Sequence, residues 1–455
     1  MSTLLNPAEL RQLLSLAWPV VVSRSAQAVI GFSDAAMVGQ LGEAELAATS
    51  AGALNSFSLF ILPMGTVFIV SSFASQLCGQ GDHAGARRYG WYGLGVSLVA
   101  GLISLASAPF TFEALGVFDY EPRVRELMAT YLTIRLLSGF AAVGMEALGN
   151  YFGGMGNTRV PMLAGVLAMV LNVFFNWVLI FGKLGAPALG VAGAAWASTI
   201  STVIAFGVLF WMFWKGKGVP GGRVDSSLNG AEFVRMLRFG IPSGFNWFFE
   251  FAAFSFFMNV VFTSLGTTPL AALMAVIQLN SIAFMPAFGI SSAGAILVGQ
   301  AIGAGHKDLV PMHVARTVLV AAGWQGLVGL AYLVAPAELM RFFVSAEQES
   351  GELVRIGAQM MFIAAAWQLF DASATALAES LRAAGDTTFT LWARIVAAWA
   401  IMAPGSLLTV RAGGNHNAAL WWIVIYVALL AGVLLWRFRR GAWRNIQLTE
   451  ASLAH

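Results

Sequence analysis

The sequence predicts an all-α integral membrane protein of twelve transmembrane helices, built as two six-helix bundles related by a pseudo-two-fold axis along the membrane normal. Three observations carry that prediction. Of 455 residues, 58% are hydrophobic and only 10% charged, where a soluble domain carries roughly 45–50% and about 25%. The surplus apolar surface needs an apolar solvent, which the bilayer supplies. The apolar residues fall in long runs divided by short polar segments, and the second half of the chain repeats the first.

The runs cover approximately residues 14–38, 48–75, 90–112, 127–150, 160–182, 190–214, 240–264, 270–299, 316–337, 355–381, 388–410 and 418–436. Each is near or above the roughly 20 residues that cross a hydrocarbon core as a helix. Barrel strands would be about 10 residues long and strictly alternating, whereas these runs are apolar on nearly every face. The first run is too long for the h-region of a signal peptide and reads as the first span.

Orientation follows from Lys and Arg. With the amino terminus inside, the inner segments hold sixteen, among them Arg87, Arg88, Lys215, Lys217 and Arg437. The outer segments hold six: Arg123, Arg125, Lys183, Arg341, Arg355 and Arg411. Arg24, Arg135 and Arg394 lie within spans. Both termini are expected in the cytoplasm, with the chain multi-pass in the cell (inner) membrane. Residues 1–214 form the expected first lobe, the Gly-, Lys- and Ser-containing stretch 215–229 a cytoplasmic linker, and residues 230–455 the second lobe.

The repeat rests on ordered matches at a nearly constant offset. QLCGQGD (76–82) returns as QAIGAGH (300–306), 224 residues later. Pro19 and Pro63 return at 223 as Pro242 and Pro286, and Gly156-Asn157-Thr158 returns at 229 as Gly385-Asp386-Thr387. An even number of spans per copy leaves both in the same orientation, as in parallel-repeat transporters, with a substrate path between two lobes that rock. Prolines inside spans remove a backbone donor and kink helices, which makes Pro19 a candidate gate hinge.

Composition also excludes classes. The net charge of +3 is small and scattered, so no basic stripe for nucleic acid exists. The single cysteine, Cys78, excludes a disulfide framework and a Cys-based zinc cage. No His lies in a span, and no Gly-rich phosphate loop or nucleophile–base pattern appears. The chain is not expected to be an enzyme or an ATP-driven pump, and no cofactor is expected.

Carboxylates within spans are costly, about 2.5–3.5 kcal/mol at mid-helix even by lenient scales. Asp34, Glu146, Glu250, Asp371 and Glu379 occupy such positions. Glu250 lies about nine residues into the seventh span, within GFNWFFEFAAF (244–254) and one helical turn after Asn246. Asp371 shares a face with Thr375 and Glu379, and Glu379 reads as an interfacial ion pair with Arg382. Asn172 and Asn176, four apart, present two amides toward Asp34, an oxygen-rich pocket for a proton or a hard cation; Ser198 and Thr199 could complete it. Glu146 pairs with Arg135 or serves the cavity. The charges did not duplicate with the scaffold: Glu250 corresponds to Gln27, Asp371 to Ala142 and Asp34 to Phe257. The two lobes are therefore expected to do different jobs. Phe254, Met285, Gln278, Asn246 and Glu146 are candidates to line a polyspecific cavity, where rings and thioethers receive organic cations.

GFSDAAMVGQLG (31–42), QLCGQGDHAGARR (76–88), GQAIGAGH (299–306), GGMGNTRVPM (153–162), LRAAGDTTF (381–389), LNVFFNW (171–177) and ALGVAGAAWAST (188–199) together resemble, in order and over nearly the whole chain, the multidrug and toxic compound extrusion (MATE) family. The acid of the seventh span resembles its NorM-like branch. The resemblance implies roles in cation binding for Asp34, Asn172 and Asn176 in the first half and for Glu250 and Asp371 in the second. Asn176 stands where some relatives place an aspartate; the less acidic pocket favours sodium. It implies a monomeric secondary antiporter that exports amphipathic organic cations in exchange for Na+ or H+, with Glu250 and Asp371 as the sodium ligands. The alternative is a flippase for lipid-linked oligosaccharides or lipids, of the same superfamily shape.

Overall fold

The computed structural model describes residues 6–117, 120–223, 227–342 and 351–449. Twelve apolar helical segments follow one another: α1 (Pro7–Val38), α2 (Glu43–Gln80), α3 (His83–Leu115), α4 (Pro122–Leu136 and Gly139–Gly154, bent by 52°), α5 (Arg159–Phe181), α6 (Val191–Lys215), α7 (Gly230–Leu265), α8 (Thr267–Gly303), α9 (Val310–Val334), α10 (Gly351–Ala383), α11 (Thr387–Arg411) and α12 (His416–Arg439). Each predicted run has its helix, and the described residues contain no strand. The ninth ends at Val334 rather than 337, because Pro336 opens a separate short helix, Pro336–Arg341, and disfavours helical backbone just before it. The chain is a multi-pass membrane protein.

The repeated motifs are helix stops. Gly81 and Gly305 take φ values of 79° and 82°, and Gly156 and Gly385 take 82° and 91°, a left-handed conformation that side chains resist. At each, the next residue donates back to the carbonyl five positions earlier: Asp82 to Leu77, His306 to Ala301, Asn157 to Phe152 and Asp386 to Leu381, at 2.8–2.9 Å. That six-to-one bond is the Schellman stop. The repeat thus duplicates the punctuation that ends α2 and α8, and α4 and α10.

Two compact units result, one comprising Val22–Gly244 and the other Met1–Val21 with Phe245–His455. The first 21 residues thus belong with the second half of the chain, and α7 up to Gly244 belongs with the first half. In the first of these units α3 packs on α4, α5 on α6, and α2 on α4. In the second, α10 packs against α8, α9 and α12 around a core that includes Phe257, Phe262, Met360 and Leu420. Within each unit one ion pair secures the displaced segment. Glu9, in the first turn of α1, pairs with Arg316 of α9. Glu232, in the first turn of α7, accepts both Nε and Nη2 of Arg88 at 2.8 Å and the Tyr92 hydroxyl at 2.9 Å.

Two segments of the second unit leave ideal α geometry. Phe257–Phe262 in α7 and Val396–Met402 in α11 are π-helical, the second running into Pro404, which cannot donate. Such widened turns often accompany functional sites.

Candidate functional site

Asp34 sits one turn before the C-terminal end of α1 and is buried. Its Oδ1 accepts from Nδ2 of Asn176 at 2.5 Å and of Asn172 at 3.2 Å, and its Oδ2 accepts from the Ser198 hydroxyl at 3.0 Å. The cluster is internally linked: Asn172 Nδ2 also donates to Ser198 Oγ (2.9 Å), and Asn176 Nδ2 to Asn172 Oδ1 (3.2 Å). The four-residue spacing on α5 brings both amides to one carboxylate, as the sequence indicated. The hydroxyl in the cluster is Ser198's. Thr199, one residue on and therefore about 100° around α6, donates instead to the Ile134 carbonyl (3.2 Å). Three donors satisfy an ionised Asp34, while Asn176 Oδ1 is buried with no hydrogen-bond partner. An acceptor with nothing to accept beside a carboxylate is an arrangement that a proton or a hard cation completes.

Glu146 of α4 does not meet Arg135, whose Nη1 points to Ser138 Oγ (3.4 Å); the bend of α4 lies between the two. Its partner is Arg24 of α1, which donates twice, at 2.9 and 3.2 Å, with Gln27 Nε2 at 3.4 Å. Glu379 and Arg382 form the expected ion pair, both buried.

In the second unit, Glu250 of α7 is ion-paired with Arg394 of α11. Arg394 also donates through Nε to Asn246 Oδ1 (2.9 Å) and through Nη1 to the Tyr426 hydroxyl (3.2 Å). Pairing offsets the cost of a lone charge in a span, and Asn246 reaches the pair because it precedes Glu250 by one turn. Asp371 of α10 accepts from Gln325 Nε2 of α9 (3.2 Å). Alongside, Asn280 Oδ1 of α8 accepts from Gln368 Nε2 (2.7 Å) and Trp367 Nε1 (3.3 Å). Oε1 of Gln325 and of Gln368 are both buried without hydrogen-bond partners, so this side of the unit also carries acceptors in excess. Among the described residues no three His, Cys, Asp or Glu converge as a metal cluster; a cation at Glu250 or Asp371 would draw its other ligands from amide and hydroxyl oxygens.

Of the cavity candidates, Phe254 packs partly buried on the core of the second unit, Met285 is half-buried and Gln278 exposed on α8. The amide of α8 that enters the network is Asn280, two positions on and on another helix face.

The residues missed by sequence reasoning are the partners. Arg394 and Arg24 are two of the three basic residues that lie inside the apolar runs, away from their ends, and five acids share those runs. Pairing intramembrane charges would have selected them. Gln325 and Asn280 are isolated amides in apolar helices, a weaker sign of interhelical hydrogen bonding. Tyr426 carries no such signal.

Solved structures share this fold. A MOP superfamily transporter from Pyrococcus furiosus superposes with a TM-score of 0.87 at 20% identity, covering 96% of this chain and 97% of that one. An outward-facing multidrug resistance MATE family transporter gives 0.85 at 20%, covering 96% and 97%. In sequence, the chain is similar to a probable multidrug resistance protein NorM of Chromobacterium violaceum, 27% identical over 449 residues, which are 94% of this chain and 93% of that protein. The multidrug resistance protein PmpM of Pseudomonas aeruginosa is 27% identical over 406 residues, 87% of this chain and 83% of that protein. The MatE family profile matches twice, over residues 19–178 and 242–408, starting in each half at the proline found above by internal comparison. With the two-fold match, the twelve helices and the shared fold in agreement, the chain belongs to the MatE family.

Proposed function

We propose that the protein is a secondary antiporter that exports amphipathic, mostly cationic compounds in exchange for Na+ or H+, acting as a monomer in the inner membrane with both termini in the cytoplasm. The observation that carries this reading is a pair of acceptor-rich carboxylate clusters: Asp34 with a buried, unpartnered Asn176 Oδ1, and Asp371 beside buried, unpartnered oxygens of Gln325 and Gln368. Each gains a partner when a proton or a small cation arrives. Sodium would be held by the Asp34 carboxylate with Asn172, Asn176 and Ser198, or by Asp371 and Glu250 with neighbouring amides. Loading the carboxylates removes the counter-charge of a bound organic cation, which then leaves; coupling is this competition for charge. The multidrug names of the relatives support export of small molecules, and the reading makes the chain a transporter rather than an enzyme.

A flippase for lipid-linked oligosaccharides would need basic groups in the spans available to phosphate. Arg24 and Arg394 are both engaged by carboxylates, which weighs against it.

Ethidium efflux from proteoliposomes, under an imposed sodium gradient and an imposed proton gradient separately, tests the proposal. Efflux under either supports antiport and names the ion. Efflux under neither, with the protein folded, overturns it and brings the flippase forward.

A further inference from the structure

Glu250 and Arg394 are unequally exposed. The Glu250 side chain is 31% exposed and that of Arg394 10%, so the carboxylate is the more accessible of the two groups and the guanidinium the more enclosed. Asn246 Oδ1 and the Tyr426 hydroxyl also hold the guanidinium. An arriving cation meets Glu250 first, and Arg394 keeps two neutral acceptors when it gives that carboxylate up.

The scaffold itself does not require this charge. At the repeat's offsets, Asn246, Glu250 and Arg394 correspond to Ser23, Gln27 and Gly165, and a Cβ at Gly165 would stand 2.9 Å from Ser23 Oγ. The same two-helix contact is thus made in the first unit without an ion pair. Arg394 also lies just before the π-helical Val396–Met402, and Trp399 in that stretch donates to the Phe249 carbonyl (3.2 Å), next to Glu250. The pair is neutral as it stands, with the single carboxylate of Glu250 matched by the guanidinium of Arg394.

We propose that Arg394 is an exchangeable internal counter-ion of Glu250 that limits the second-unit site to one net positive charge, so that the cations it admits are monovalent. This rests on the export reading above. A monovalent cation takes the place of the guanidinium at Glu250 charge for charge, while a dication adds an uncompensated positive charge beside the displaced guanidinium. At the effective dielectric of protein sites, removing a like charge a few ångströms from a bound cation changes affinity by about tenfold or more.

The test is binding of ethidium, a monocation, and propidium, a dication, to the purified full-length protein, followed by fluorescence. The wild type is expected to bind ethidium in preference to propidium. Arg394→Gln should bind ethidium about tenfold more tightly and admit propidium. Asn246→Ala, which removes one of the two neutral acceptors that Arg394 keeps when it gives up Glu250, should weaken ethidium binding severalfold. Opposite signs in the two variants separate an exchangeable counter-ion from a merely structural pair, for which both variants weaken binding. Unchanged or weaker ethidium binding by a folded Arg394→Gln overturns the inference. If that variant does not fold, wild-type propidium binding as tight as ethidium overturns it. Wild-type protein that neither binds nor exports ethidium overturns the export reading itself, an outcome distinct from a failure confined to Arg394→Gln.

Discussion

Glu9 and Glu232 stand 223 residues apart, each ten residues before one of the matched prolines Pro19 and Pro242, and each closes an ion pair with an arginine of its compact unit. Leu13 and Met236, one turn further on, are also at that offset and both fully buried. A charged latch and an apolar anchor thus recur together where α1 and α7 begin. The environments differ, however. The Arg316 side chain is 3% exposed and that of Arg88 20%. Removing Glu9 takes a carboxylate from a buried cation, whereas removing Glu232 takes one from a cation that water reaches. Glu9→Gln should therefore cost about 2–3 kcal/mol and Glu232→Gln about 1–2 kcal/mol, read as the larger and the smaller drop in melting temperature of the detergent-solubilised protein. The reverse order would refute this account of burial.

Asp34→Asn removes the only charge in its cluster and leaves the donors of Asn172, Asn176 and Ser198 without an anionic acceptor. Gradient-driven ethidium efflux should fall at least about tenfold with little change in melting temperature. Asn176→Asp places a second carboxylate beside the first, and like charges favour retention of a proton. That variant should shift the driving ion from sodium toward protons, measured as the ratio of efflux under the two gradients. An unchanged ratio would remove Asn176 from ion selection.

Glu250→Gln should abolish coupled efflux, because the carboxylate that receives the cation is gone and Arg394 retains only Asn246 and Tyr426. Full efflux in this variant, at wild-type expression and folding, would end the assignment of coupling to α7. Asp371→Asn should act in the same direction, since it removes the negative charge to which Gln325 donates.

Gly81→Ala and Gly305→Ala test the duplicated helix stops. A Cβ at either position meets nothing within 4 Å, so the only penalty is the left-handed backbone, roughly 1–2 kcal/mol. The two variants should lose similar stability in thermal melts. A large difference between them would show that the stops are not equivalent.

Much was legible in the sequence because its signals are local or periodic. Twelve apolar runs of sufficient length become twelve helices since a bilayer leaves the backbone no other way to pair its polar groups. The duplicated Gly-containing motifs are read directly, because a left-handed stop depends on the residue at that one position. The amides of Asn172 and Asn176 were foreseeable for a similar reason: residues four apart on one helix share a face.

Tertiary structure decided which charge meets which. Glu146 takes Arg24 rather than Arg135, and Glu250 takes Arg394, from partners more than a hundred residues away. Ser198 and not Thr199 reaches Asp34, a choice set by about 100° of helix rotation. Asn280 and not Gln278 joins the network below Gln368 for the same reason. The α1 segment through Val21 is grouped with the second half of the chain, which no local pattern announces. Hydropathy and punctuation depend on each residue and its near neighbours, so the sequence by itself determined the membrane class, the helix count and the repeat. Ion pairing depends on how helices are rotated and packed, and that is specified only when the whole chain is folded.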